Sequence, residues 1–288
     1  MRKLTYTNSR GGSVTVGPPP YMLGGFDPGN PQTQFATAKA PGQDGVSIED
    51  AALDPRAIQI TVYVCAESPG DLYAKSRALQ SVFDARQDGT LLYANDAGAR
   101  VIPCRMQYVP TVKDPEGLSQ QVLVQLYAPS PYWQDVAETV RTLATWIGDL
   151  TFPASFRAAG AEFGHKAQSL IVNALNPGDV PCGMRVELTA DASVVNPYLL
   201  NIYTKEILRV KRTLTAGETL IINTALGAEA VTLMQGRAET DVFNWIDVPD
   251  AADFMQLQPG DNYLRYGADS GMDNLEMSVC YTPRYLGA

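Results

Sequence analysis

Histidine is almost missing from this 288-residue chain: His165 is the only one. A Ser-His or Cys-His catalytic device would have to be built on it. It sits in the glycine-flanked stretch Gly164-His165-Lys166, and no Gly-x-Ser-x-Gly nucleophile turn occurs. The same count excludes a histidine-based metal site. The four cysteines, Cys65, Cys104, Cys182 and Cys280, lack any paired spacing, so reduced buried thiols are the expectation. No phosphate-cradling Gly-x-x-x-x-Gly-Lys is present. No apolar run approaches the roughly 20 residues of a membrane span. Thr5, Thr7, Asn8 and Ser9 deny Met1-Arg2-Lys3 the apolar segment of a signal peptide. Nor is there a basic excess. Lys and Arg total 22 against 31 Asp and Glu, a net charge of −9, and both halves of the chain are acidic. A binder of phosphate backbones needs the opposite balance, so no nucleic-acid partner, membrane or cofactor is expected.

What the chain has is turn formers and short alternating runs. Its 24 glycines and 20 prolines, with few long helical periods, point to a mainly β protein. From Ile58 the pattern alternates, with Ile58, Ile60, Val62 and Val64 facing one way and Gln59, Thr61 and Tyr63 the other. Ser68-Pro69-Gly70-Asp71 then spells a helix start: a serine cap, proline at the first helical position, and an acid at the positive end of the dipole. The spacing predicts one helix over about Gly70 to Arg86, buried through Leu72, Leu79 and Phe83. Asp88-Gly89 is expected to end it before a strand at Leu91 to Tyr93. Asn95-Asp96-Ala97-Gly98 turns that strand into another, with Ile102, Cys104, Met106 and Tyr108 on one face. A further turn at Asp114-Pro115-Glu116-Gly117 leads to a strand ending in Ala128-Pro129-Ser130-Pro131-Tyr132-Trp133.

Those segments in that order resemble the N-terminal domain of the distal tail proteins of long-tailed, non-contractile bacteriophages. The resemblance rests on Arg56 to Arg86, on Asp88-Gly89-Thr90-Leu91-Leu92-Tyr93, on Val101 to Met106, and on Val122 to Trp133 with its Ala-Pro-x-Pro-Tyr-Trp close. After about Ala167 turn signals recur every eight to twelve residues or so, the rhythm of a β-sandwich. Asn176-Pro177-Gly178-Asp179, Thr204-Lys205-Glu206, Ala216-Gly217-Glu218 and Gln258-Pro259-Gly260-Asp261-Asn262 follow in the order of the family's galectin-like or carbohydrate-module-like C-terminal domain. The ending from Tyr281 to Gly287 is similar too.

The resemblance implies a β-sandwich or barrel-like domain with one packed helix over 1–134, joined by the tail 281–288. A packed connector over 135–166 and a C-terminal sandwich over 167–280 complete the expected organisation. The implied protein is made in the host cytoplasm, sits at the tail tip of the virion, and is no enzyme. It builds a hexameric baseplate hub, and its partners are copies of itself, the tail tube protein, a tail-associated hub protein and receptor-binding proteins. The early segment Gly17 to Gly45 reads as long loops able to lie across a neighbour. The alternative is a carbohydrate-binding module, with glycan contacts from Trp245, Tyr198 and Tyr263, though buried packing is the commoner fate of such aromatics. The acid groups Asp247, Asp250, Asp253 and Asp269, Asp273, Glu276 would serve a glycosidase, but they read equally as polar loops.

Overall fold

A computed structural model of the chain describes residues 2–148, 164–168, 171–247 and 254–288. The chain divides into two compact units, Met1–Val136 with Tyr285–Ala288, and Ala137–Arg284.

The first unit begins with β1 (Lys3–Asn8), β2 (Ser13–Val16) and β3 (Tyr21–Asp27). An outlying pair follows, β4 (Thr33–Ala38) and β5 (Ser47–Leu53). Then come β6 (Arg56–Cys65), α1 (Pro69–Val82), β7 (Asp88–Asn95), β8 (Gly98–Val112), β9 (Ser119–Ala128) and β10 (Trp133–Asp135). The main sheet runs β2-β1-β7-β8-β9-β6-β3. Its ends adjoin through a bridge between Gly17 and Met22, so the sheet curls back on itself. The alternation of β6 is real burial. Ile58, Ile60, Val62 and Val64 are at most 2% exposed, and the first three pair with Leu126, Val124 and Val122 of β9.

Helix α1 starts where the sequence places it. Ser68 Oγ accepts from the Asp71 N–H at 3.2 Å, and Asp71 Oδ2 accepts from the Glu67 N–H at 3.1 Å. Leu72, Leu79 and Phe83 are buried in the first core, with Ser76 between them bonded to Gln120. The helix stops at Val82, short of the expected Arg86. Asp84 is the reason: its side chain accepts from the Arg86 N–H and from Gln87 Nε2, and its carbonyl takes the Gln87 N–H at 3.1 Å. Those bonds offer the backbone a turn in place of another helical turn. The Asn95–Gly98 hairpin is present, closed by Asn95 Oδ1. Tyr108 departs from the expected face. A bulge after Met106 shifts the register with β9 and leaves Tyr108 58% exposed.

The second unit is a sandwich. Its strands are β11 (Thr139–Thr142), β12 (Ala144–Gly148), β13 (Gly164–Gln168), β14 (Ile171–Asn173), β15 (Met184–Ala190), β16 (Val194–Val195), β17 (Tyr198–Asn201) and β18 (Ile207–Val210). After them come β19 (Thr213–Leu214), β20 (Glu218–Asn223), β21 (Ala230–Gln235), β22 (Ala238–Asp241), β23 (Ile246–Asp247), β24 (Tyr263–Gly267) and β25 (Leu275–Tyr281). A six-stranded sheet, β11-β25-β15-β20-β21-β22, and a five-stranded sheet, β14-β24-β17-β18-β23, share one core. Val186, Leu188, Leu220 and Val279 come from the first, Leu199, Val210, Leu264 and Tyr266 from the second. Thr139–Thr142, expected in a connector, is an edge strand of that six-stranded sheet. The last short strand, β26 (Arg284–Tyr285), pairs with β10. Tyr281 itself stays in β25, so the return to the first unit starts at Tyr285.

Candidate assembly surface

Residues 17–45, expected as loops, are strand at 13 of 29 positions. They contribute β3, β4 and the turn of a hairpin arm made by β4 and β5. Pairing fixes which side chains share a face. Thr33 opposes Leu53, Phe35 opposes Ala51, and Thr37 opposes Ile48 on one side. Gln34 with Ala52, Ala36 with Asp50, and Ala38 with Ser47 form the other. One face thus carries the large apolar side chains Phe35, Ile48 and Leu53 among Thr33, Thr37 and Ala51, the other is small and polar, and a bulge leaves Glu49 outside the ladder. Phe35 is 56% exposed and Ile48 61%. The turn is ordered by its own bonds, Ala40 N–H to Gln43 Oε1 at 3.0 Å and Gln43 Nε2 to Ser47 Oγ at 3.1 Å. At the base the Asp54 N–H meets Gln32 O at 2.8 Å. A lone two-stranded hairpin is marginal in water, and among the described residues no further strand pairs with either outer edge of this one.

The arm is anchored where it leaves β3. Gly29 has φ +75°, and a Cβ there would lie 2.0 Å from the Ala57 carbonyl oxygen, so only glycine fits this approach. Arg56, 4% exposed, holds the same spot: its Nη1 donates to the carbonyls of Pro28 and Gly29 at 3.1 and 2.8 Å. Nothing in the sequence marks Arg56, because its acceptors are backbone carbonyls.

The solvent face of β6 and β9 carries Ala57, Gln59, Thr61 and Tyr63 beside Gln121, Leu123, Gln125 and Tyr127, all of them uncharged. A cleft of about 430 Å³ lies against Thr7, Thr90, Pro103 and the ion pair Asp88–Arg105. Cys104 also borders it, but burial pushes that thiol up to about 12, which leaves no thiolate near neutral pH. Burial likewise pushes the Cys182 thiol up to about 11. All four cysteines are free.

The three aromatics considered for glycan contact are not all together. Tyr198 and Tyr263 share the solvent face of the five-stranded sheet, where Tyr198 lies over Gly267. Tyr263 meets Tyr203 edge-on at 5.3 Å, and Tyr203 is 67% exposed. Trp245 instead packs against the core, with the Arg212 guanidinium 3.8 Å from its ring centre. Of the acid groups, Asp247 pairs with Lys211 at 2.7 Å and Asp269 with Arg209 at 3.1 Å. Asp250, Asp253 and the side chain of His165 lie outside the described residues. Among the described residues no group of three His, Cys, Asp or Glu could hold a metal. No described helix is long and apolar enough to cross a membrane.

The two halves match two families. The phage tail protein RIFT-related domain matches residues 20–128, and the siphovirus-type tail component, C-terminal domain, matches residues 177–285. The chain belongs to the siphovirus distal tail proteins. No individually curated protein matches it. Among solved structures, the whole chain is similar to SPP1 Dit (gp 19.1), described as a paradigm of the hub adsorption apparatus in phages infecting Gram-positive bacteria. That match has a TM-score of 0.66 at 13% identity over 98% of this chain and 99% of the other. A chain of the phage P2 baseplate in its activated conformation with Ca matches with a TM-score of 0.54 at 10% identity, covering 100% of both chains. At these identities the likeness concerns the fold; the tail-component assignment rests on the two families. The distal tail protein thus has the mainly β, one-helix architecture that its sequence implies.

Proposed function

We propose that this distal tail protein forms the hub of the baseplate as a closed hexameric ring, each copy laying its arm on the next. One observation carries the reading: the apolar face of the arm, with Phe35, Ile48, Ala51 and Leu53, is formed and held in place, yet Phe35 and Ile48 stand open to solvent. Burying it against a neighbour supplies the support that a two-stranded hairpin lacks. The contact is heterologous, arm to a different surface, and such contacts close into rings at a fixed rotation. The ring joins the tail tube to a tail-associated hub protein, and the second unit serves receptor-binding proteins. The protein works by docking and has no turnover. Its acidic balance suits a conduit to which DNA does not adhere. The test is electron microscopy of assembled tails carrying a labelled copy, together with sizing of the purified chain with and without its hub partner. A label on the shaft or head, or a chain that stays monomeric with its partner present, would refute the hub.

A second reading, attachment to host-surface glycans, is favoured by the shared solvent face of Tyr198 and Tyr263 beside the exposed Tyr203. Glycan binding by the purified protein that Tyr263→Ala abolishes would support it; no binding on a broad glycan array would remove it.

A further inference from the structure

Arg56 opens β6 and, among the described residues, is the one guanidinium that is almost wholly buried. Its donors are spread over three segments. Nε donates to Pro131 O at 2.8 Å, in the turn after β9. Nη1 serves Pro28 and Gly29, at the start of the arm. Nη2 donates to Leu286 O at 2.8 Å, in the returning tail. The acceptors are all main-chain carbonyls. The tail is seated beside it by Tyr285, whose hydroxyl bonds Asp135 Oδ2 at 3.2 Å and whose ring lies 3.2 Å below the Arg100 guanidinium.

A buried charge is tolerated only while its hydrogen bonds are made. A guanidinium is also a rigid fork, so its donors cannot be re-aimed one at a time. If the tail leaves, Nη2 loses its acceptor, and the planar group must shift toward water or find another. Either movement disturbs the two bonds that Nη1 makes to the arm. We infer that Arg56 couples the seating of the C-terminal tail to the seating of the β4–β5 arm, so that the arm is fixed for docking only in a chain whose tail is home. The role assigned to the arm rests on the assembly reading above; the coupling itself is a property of the single chain.

Hydrogen–deuterium exchange on the full chain, at a concentration where it is monomeric, tests this. Tyr285→Ala releases the tail and leaves Arg56 in place. The expected result is faster exchange in peptides over both 283–288 and 24–34, each by about tenfold, the size of change in local opening that follows loss of one or two contacts. Peptides over α1 and β15 should keep wild-type rates, which shows that both units remain folded. Arg56→Lys keeps the charge but cannot span three segments, and should loosen both regions as well. Loosening of the tail with the arm base unchanged would overturn the coupling, and so would wild-type rates in both regions in both variants. A coupled response in a chain that never associates would count against the ring and leave the coupling intact.

Discussion

Strands β5 and β6 are separated by Asp54 and Pro55 alone, yet they live in opposite surroundings. Every second residue of β6 disappears into a core, whereas β5 is open to solvent along nearly its whole length. Both pair with an antiparallel neighbour, β6 at every residue and β5 at all but Glu49, which a bulge leaves out of the ladder. Pairing alone therefore makes a strand; burial of one face is what makes it stable. In β6 that face is met within the chain, by β9 and α1. In β5 it stays open to solvent. The contrast sets residues that hold the protein together against residues that, in the ring proposed above, would hold copies together.

Substitutions that probe the buried side should have the largest effect on folding. Leu79→Ala removes a fully buried side chain of α1 and should cost about 2–5 kcal/mol, read as a lower unfolding midpoint of the first unit. Gly29→Ala, at the junction of the two surroundings, forces a Cβ onto the Ala57 carbonyl at positive φ, and should cost about 1–3 kcal/mol in the same measurement. Ser68→Ala deletes the cap of α1 and should cost about 1 kcal/mol.

Acid should act on the same unit. The Lys75 ammonium beside Asp71, the Arg86 N–H on Asp84 and the Arg105 guanidinium on Asp88 hold these carboxyls below their usual range. A folded-state carboxyl held low contributes stability above its unfolded value of about 3.8 and loses it as pH falls through the folded value. The unfolding midpoint should therefore stay level at neutral pH and fall below about pH 4, with Asp71→Asn blunting part of the fall. The smallest effect on folding is expected on the open side. Phe35→Ser combined with Ile48→Ser should change stability by no more than about 0.5 kcal/mol. Yet it should abolish self-association in sedimentation or light scattering. A folding cost rivalling that of Leu79→Ala would mean that the arm is supported within its own chain, and the contrast would collapse.

The sequence speaks most clearly where structure is local. The start of α1 is legible because Ser68, Pro69 and Asp71 act on each other within one turn. The alternation of β6 is legible because its core is long and regular. The end of α1 is not, since Asp84 competes for the backbone through bonds that a helical period does not encode. Tyr108 lies off the face that alternation assigns it because the bulge depends on the partner strand β9. The arm reads as loop because strands with no core behind them need little apolar periodicity: Phe35, Ile48 and Leu53 each face a small or polar partner. Arg56 is silent for a different reason. Backbone carbonyls as acceptors leave no trace in residue identity, so the sequence holds no sign of its pairing.

The discontinuity of the first unit has a consequence for biosynthesis. Residues 137–284 are inserted between the body of that unit and its last segment, Tyr285–Ala288. A ribosome delivers the whole second unit before Tyr285 and Leu286 emerge, so the sandwich can close while the first unit still lacks its final strand. A chain interrupted anywhere within the sandwich never acquires the carbonyl that completes the set around Arg56. On the coupling proposed above, chain order would act as quality control: truncated products would carry an arm without the Leu286 carbonyl that helps to anchor it, and would enter assembly at a disadvantage.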